Sequence, residues 1–329
     1  MSKTSIEWCT DTWNPVRGCS RVSEGCRNCY AERMAARNLP EMRSPTTGNP
    51  FAVRGSDGPH WTGVVELIPE KLDEPLHWRK PRRVFVNSMS DLFHEALRDE
   101  AIDRMFGVMA QAPQHTFQIL TKRPERMPGW FKGIDPDQAR MSSRLLRIAA
   151  GVPWPLPNVW LGVSVEDQAT ADERIPLLLQ TPAAKRFISL EPQLAPVDLA
   201  AWLPICADCN RHRGKPTAPI THHHPPALDW VIVGGESGPG ARPFDVEWAR
   251  STVRQCREAG VACFVKQLGA RLITYVGGED MELVAGWKHR RWHDPEFTDQ
   301  RRQEIGLRSS KGGDMAEWPA DLRVREFPA

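Results

Sequence analysis

Short apolar or β-branched runs recur along the 329-residue chain, each closed by a polar cluster and followed by a longer stretch. They are WNPVRG at 13–18, VVELI at 64–68, VFVNS at 84–88, FQILT at 117–121, VWLGVSV at 159–165, RFISL at 186–190, DWVIVGG at 229–235 and ACFVKQ at 262–267. Most lack strict alternation. Continuous apolar strands suit a parallel sheet covered on both faces, and strands separated by helical stretches give the βαβ pattern. Residues 99–111 repeat apolar side chains at Ile102, Met105, Phe106 and Met109, and residues 245–259 do so at Ala249, Val253 and Cys256, so both predict helices. With right-handed crossovers the pattern predicts an α/β fold, a (β/α) barrel of six to eight parallel strands over residues 1–270. Residues 201–228, rich in proline and polar positions, read as a loop inserted into that barrel. After Gly269 the pattern fades, and 271–329 read as an irregular C-terminal extension packed on the barrel.

Polar residues fall where the strands end. The sequence places Asn87, Ser88 and Asp91 after one run, and Thr121, Lys122 and Arg123 after the next. Ser164 with Glu166, Ser189 with Glu191, Gly235 with Glu236, and Lys266 with Gln267 close four more. The carboxyl ends of parallel strands carry the active site in barrels of this kind, so six such ends predict one shared cavity. Polar residues open loops in any fold, and it is the whole set that points to a site.

Composition narrows the chemistry. No apolar run approaches the ~20 residues of a membrane helix, and the opening MSKTSIEWCTDTW lacks a secretory apolar stretch. A cytoplasmic location with no membrane partner is expected. In a reducing compartment the eight cysteines read as metal or redox residues and not as disulfides. Cys19, Cys26 and Cys29 lie in GCSRVSEGCRNCYAER, after the first strand candidate, with a helix expected to start after Tyr30. Three soft thiolates in eleven residues can bind an iron–sulfur cluster or zinc. Three local ligands leave one metal position open; Cys9 would close it as a fourth ligand, or is a packed thiol on an apolar segment. Cys206 and Cys209, with His222 and His224 after a twelve-residue gap, form a second candidate, a small zinc-stapled loop, or else an inert insertion.

The runs IEWCTDTWNPVRGCSRVSEGCRNCYAER, VFVNSMSDLF, LTKRPERM, GVSVED, SLEPQLAPVD, DWVIVGGESGPGARP and FVKQLG resemble the phage Gp37/Gp68 family (DUF5131) over most of the chain. That family resembles the radical S-adenosylmethionine superfamily, and within it the branch of spore photoproduct lyase, through the cysteine loop followed by Tyr-Ala, the TK after one strand and the LEP after a later one. The spacing here is C-x6-C-x2-C where the superfamily has C-x3-C-x2-C, and Asn28 stands at its aromatic position with Tyr30 following. The resemblance implies a 4Fe-4S cluster on Cys19, Cys26 and Cys29 with S-adenosylmethionine on the open iron. It implies reductive cleavage to a 5′-deoxyadenosyl radical that abstracts hydrogen from a substrate, the cofactor carrying the hard chemistry. An electron donor such as flavodoxin or ferredoxin is then a partner. Glu166, Glu191 and Glu236 would contact ribose hydroxyls or the methionine ammonium, and Lys122 or Lys266 the methionine carboxylate. Gly234 and Gly235 would let a ligand approach the backbone. Tyr30, Asn87, Ser88, Asp91, Thr121 and Ser164 complete the cofactor-binding set.

Two other classes stay open, a non-catalytic iron–sulfur or zinc protein, sensing or structural, and a nucleic-acid hydrolase. A structural metal protein does not need acids and lysines at six strand ends, and a two-metal hydrolase needs converging carboxylates or histidines where this chain has cysteines. The net charge of +2 names no partner. Basic stretches at 79–83 and 288–291 leave a nucleic acid or nucleotide as a candidate substrate, although such stretches are more often solvated faces.

Overall fold

The computed structural model describes residues 4–37, 39–132, 152–204, 226–275, 288–291 and 302–328. The chain divides into two compact units, Met1–Ser164 with Glu173–Phe187, and Val165–Asp172 with Ile188–Ala329.

Among the described residues one parallel sheet has seven strands. They are β1 (Asp11–Trp13), β2 (Arg83–Val86), β3 (Thr116–Thr121), β4 (Val159–Ser164), β5 (Lys185–Leu190), β6 (Trp230–Gly234) and β7 (Ala262–Gln267), and sheet order follows chain order. The α/β class holds. The sheet is an open, curled half-barrel with β1 and β7 as edges, and among the described residues no pairing closes it into a barrel.

In the first unit the register runs Trp13↔Val86, Val86↔Ile119 and Ile119↔Leu161, a row of apolar side chains on one face of β1 to β4. Val84, Val86, Phe117, Ile119, Leu161 and Val163 are all buried, which is why these strands read as continuous apolar runs. Helix α1 (Tyr30–Ala35) follows the cysteine loop, α2 (Asp99–Gln111) crosses from β2 to β3, and α3 (Arg126–Lys132) follows β3. Helix α2 buries Ile102, Met105, Phe106 and Met109, as its spacing predicts. Phe106 and Trp130 join α2 to α3 at 4.5 Å between ring centroids. Helix α4 (Gln168–Leu179) follows β4.

Two expected strands are different. WNPVRG is broken at Pro15, which has no N–H to give a sheet, so Asp11–Trp13 joins the large sheet while Val16–Arg17 leaves it. Of VVELI only Glu66–Leu67 is a strand, and it pairs antiparallel with Val16–Arg17 in a separate two-stranded ribbon.

In the second unit β6 and β7 pair in parallel across α5 (Val246–Ala259). The Asp245 side chain accepts from Glu247 N as a cap, and Gly260, at φ +63°, ends the helix. The stretch expected to be irregular carries three strands, Leu272–Tyr275, Lys288–Arg291 and Arg302–Gly306, in a sheet with Phe244–Asp245. The end of the chain then covers the β7 edge. Phe264 bridges Arg325, Val265 N donates to Val324 O, and Glu326 N donates to Cys263 O. An edge capped in this way no longer offers bare backbone to another strand.

Gly162 on β4 faces the Phe187 ring, and a Cβ there would sit 2.5 Å from that ring. Gly162→Ala is expected to lower the unfolding free energy by about 1–3 kcal/mol through overpacking. Urea denaturation measures this, and adding Phe187→Leu should recover part of the loss. An unshifted midpoint for the single variant would contradict the packing described.

Candidate thiolate site

Gly18 turns the chain into the cysteine loop. Its φ is +87°, and a Cβ would stand 1.9 Å from the Val64 carbonyl oxygen, so glycine is the residue that fits. Cys19 follows, then a 3-10 turn over Glu24–Cys26, then Cys29 as the residue that caps α1. Cys26 N donates to Ser23 O at 3.0 Å and Cys29 N to Cys26 O at 3.2 Å, which folds the C-x2-C half into consecutive turns. The thiols come into mutual electrostatic reach, Cys19 with Cys29 and Cys29 with Cys26.

Burial pushes the Cys19 thiol up to about 12; the Asp91 carboxylate adds to the rise and Arg123 opposes it. Burial also raises Cys29, against the pull of the Glu32 and Ala31 N–H groups in the first turn of α1. Both shifts favour the protonated thiol. Cys19 Sγ donates to Ser20 O at 3.5 Å, and Cys26 Sγ lies 4.0 Å from Ser23 Oγ. Among the described residues no group of three Cys, His, Asp or Glu side chains already stands in metal-holding geometry. The donor set itself fits a soft metal: three neighbouring thiols, one touched by a buried guanidinium that would neutralise a thiolate. Cys9 is buried with its Sγ 3.7 Å from Ile6 O, which fits the packed-thiol alternative.

Arg123, just past β3, joins the loop to the strand ends. It is 2% exposed and makes contacts in four directions. Nη1 donates to Cys19 Sγ at 3.7 Å and lies 3.5 Å from Asp91 Oδ2. Nη2 donates to Ser20 Oγ at 2.7 Å and Ser20 O at 3.0 Å, and Nε donates to Glu95 Oε2 at 2.8 Å. Asp91 accepts from Thr121 Oγ1 at 2.6 Å and from Lys122 N at 3.0 Å. Lys122 Nζ donates to Ser164 Oγ at 2.6 Å, tying the end of β3 to the end of β4. Arg21 closes the other side of the loop. Its guanidinium forms a two-pronged pair with Glu32, 1% exposed, whose Oε1 also accepts from Trp61 N. The Glu32 hydrogen bond raises the Arg21 pKa, and the nearby Cys26 and Cys29 add to the rise.

Ser20 and His94 look like a nucleophile and its base, with Oγ and Nε2 2.9 Å apart. The network assigns the wrong tautomer for that role. His94 Nδ1 accepts from Ala96 N at 3.1 Å, so Nε2 carries the hydrogen and donates to Ser20, which already accepts from Arg123. Burial, with Arg123 beside it, keeps the His94 pKa low and the ring neutral.

The remaining expected residues separate by unit. Tyr30 OH donates to Ser88 O at 2.6 Å with its ring half exposed, and Ser88 Oγ donates to Asn14 Oδ1. Asn87, at φ +61°, ties β2 to the first strands: its N donates to Trp13 O and its Oδ1 accepts from Val16 N. Cys19, Cys26, Cys29, Tyr30, Asn87, Ser88, Asp91, Thr121, Lys122 and Ser164 thus share the first unit. Glu166, Glu191, Gly234, Gly235, Glu236 and Lys266 belong to the second. There Glu191 pairs with Lys266, and Gln267 Nε2 is 3.5 Å from Glu191 Oε1. Glu166 is buried, and its carbonyl accepts from Leu194 N. Glu236 is taken up by Arg242, whose N and Nε donate to it at 2.8 and 3.1 Å. A Cβ on Gly235 would meet Phe244 at 2.8 Å and Leu268 O at 2.9 Å, and one on Gly234 would meet Gln267 O at 3.1 Å. The crowding at this glycine pair comes from the protein's own backbone and side chains. Cys206, Cys209, His222 and His224 lie outside the described residues.

Sequence reading missed the parts played by Arg123, Glu95, His94 and the Arg21–Glu32 pair. Arg123 is one residue beyond Lys122, and Glu32 is three beyond Cys29 in CYAER, so position was the available signal.

A family profile described as "Protein of unknown function (DUF5131)" matches residues 3–303. No curated protein and no solved structure matches the chain.

Removing one partner of a buried ion pair strands the other, whereas an exposed pair contributes little. Arg123→Met, which strands the buried Asp91, should lower the unfolding free energy by about 3–5 kcal/mol. Glu95, 70% exposed, lies on the solvent side of the same guanidinium. Glu95→Gln should change stability by about 0–1 kcal/mol. Equal effects of the two variants in urea denaturation would contradict this ranking.

Proposed function

We propose that this chain, which belongs to the family described as protein of unknown function (DUF5131), is an iron–sulfur enzyme of the radical S-adenosylmethionine type. Cys19, Cys26 and Cys29 are its cluster ligands. The observation that carries the reading is one turn-rich loop bearing three cysteines, with Arg123 bonded both to Cys19 and to the carboxylate that follows β2. A 4Fe-4S cluster held by these cysteines would supply a low-potential electron and one iron position for the cofactor, the chemistry that radical generation needs. The residues of the chain bind, orient and exclude water. Tyr30, half exposed beside Cys29, offers a face for stacking, and Lys122 offers a cation to a carboxylate. In the second unit Glu191 pairs with Lys266, and Glu166 is buried.

A non-catalytic thiolate metal protein is the second reading. The observation in its favour is that the thiols hydrogen-bond locally and stand in no ready ligating geometry. The hydrolase reading has less support. Asp91, Glu191 and Glu236 each lie against a cation, and Ser20 with His94 holds the tautomer that cannot take the serine proton. A nucleic acid or nucleotide remains the proposed substrate class. Within the 79–83 stretch Arg82 is committed to Asp11 and Trp78, so that stretch is in part structural. No helix among the described residues is long and apolar enough to cross a membrane.

Anaerobic reconstitution with iron and sulfide should load a 4Fe-4S cluster, and Cys19→Ala, Cys26→Ala and Cys29→Ala should each abolish it. S-adenosylmethionine should then perturb the paramagnetic spectrum of the reduced protein and yield 5′-deoxyadenosine slowly. Stoichiometric zinc without iron would overturn the reading. An iron cluster indifferent to S-adenosylmethionine would replace it with the non-catalytic one.

A further inference from the structure

A thiolate ligand becomes a better home for an added electron when hydrogen bonds and positive charge reach its sulfur, and iron–sulfur potentials follow those contacts. Arg123 is placed to do this. It is 2% exposed, so solvent screens it little, and its Nη1 donates to Cys19 Sγ at 3.7 Å. Its orientation is fixed by Ser20 O and Oγ on Nη2, by Asp91 on Nη1, and by Glu95 on Nε. Ser20 is itself held by His94 at 2.9 Å. The guanidinium does not depend on the sulfur for its position; it is carried to the sulfur by Ser20 on the loop and by Asp91 and Glu95 in the segment after β2.

We infer that Arg123 is a positioning residue that sets the reduction potential of the metal centre on Cys19, Cys26 and Cys29. The inference rests on the cluster reading above. Charge determines its sign. Taking the cation away from the ligand sulfur disfavours the extra electron, so the potential falls. Neutralising Glu95, which faces the same guanidinium from the solvent side, leaves more of the positive charge uncompensated, so the potential rises. Asp91 is left in place in both variants because it also orders Thr121 and Lys122.

The experiment is a dithionite titration of reconstituted wild type, Arg123→Lys, Arg123→Gln and Glu95→Gln, with iron per chain determined for each. Arg123→Gln should shift the ratio of reduced to oxidised cluster about tenfold toward oxidised at a fixed potential, a fall of about 59 mV for one electron. Arg123→Lys, which keeps the charge and loses the fork, should fall by less. Glu95→Gln should move in the opposite direction, and as an exposed residue it keeps the test decisive should the Arg123 variants fail to fold. Iron-loaded variants whose potentials coincide with wild type would overturn the inference and leave the cluster reading intact. A wild-type protein that takes up no iron would overturn both.

Discussion

The buried Arg123 guanidinium holds the first unit's polar end together. A cation this far from solvent is tolerated only when its donors are met, and an unpaired charge there would cost several kcal/mol. Ser20, Asp91 and Glu95 meet them, and so does the Cys19 sulfur. Because Ser20 adjoins Cys19 while Asp91 fixes Thr121 and Lys122, the cysteine loop is fastened to the ends of β2 and β3. Position and electrostatics therefore share one cause. The fork that anchors the loop also brings positive charge to the sulfur that burial alone would keep protonated.

The raised Cys19 and Cys29 pKa values make metal binding a proton-releasing event, since the thiolate is the ligand. The Arg21–Glu32 pair matters here. It secures the loop against α1 and the Trp61 backbone. Gly18 contributes in another way, because only a residue without a side chain passes the Val64 carbonyl at that angle.

The strand runs from residue 84 onward were legible because strands buried on both faces must be apolar at successive positions, and Val84, Phe117 and Val163 keep that rule. Helix α2 was legible in its spacing. The first unit's opening was harder, since Pro15 interrupts a run that composition alone makes continuous, and Glu66–Leu67 pairs with a neighbour that no local pattern reveals. The cysteines were visible by spacing, but Arg123 was not distinguishable from Lys122, because burial and the direction of a guanidinium are tertiary facts. At Gly234 and Gly235 an added Cβ would meet Gln267, Phe244 and Leu268, a packing constraint that the sequence does not display.

The central claim is that three cysteines hold one cluster and leave one metal position to a small molecule. Mössbauer spectroscopy of protein loaded with isotopically enriched iron tests this most directly. The account predicts three irons of one kind and a fourth whose signal changes when S-adenosylmethionine is added. Four equivalent irons, unmoved by that addition, would mean a closed site and would contradict it.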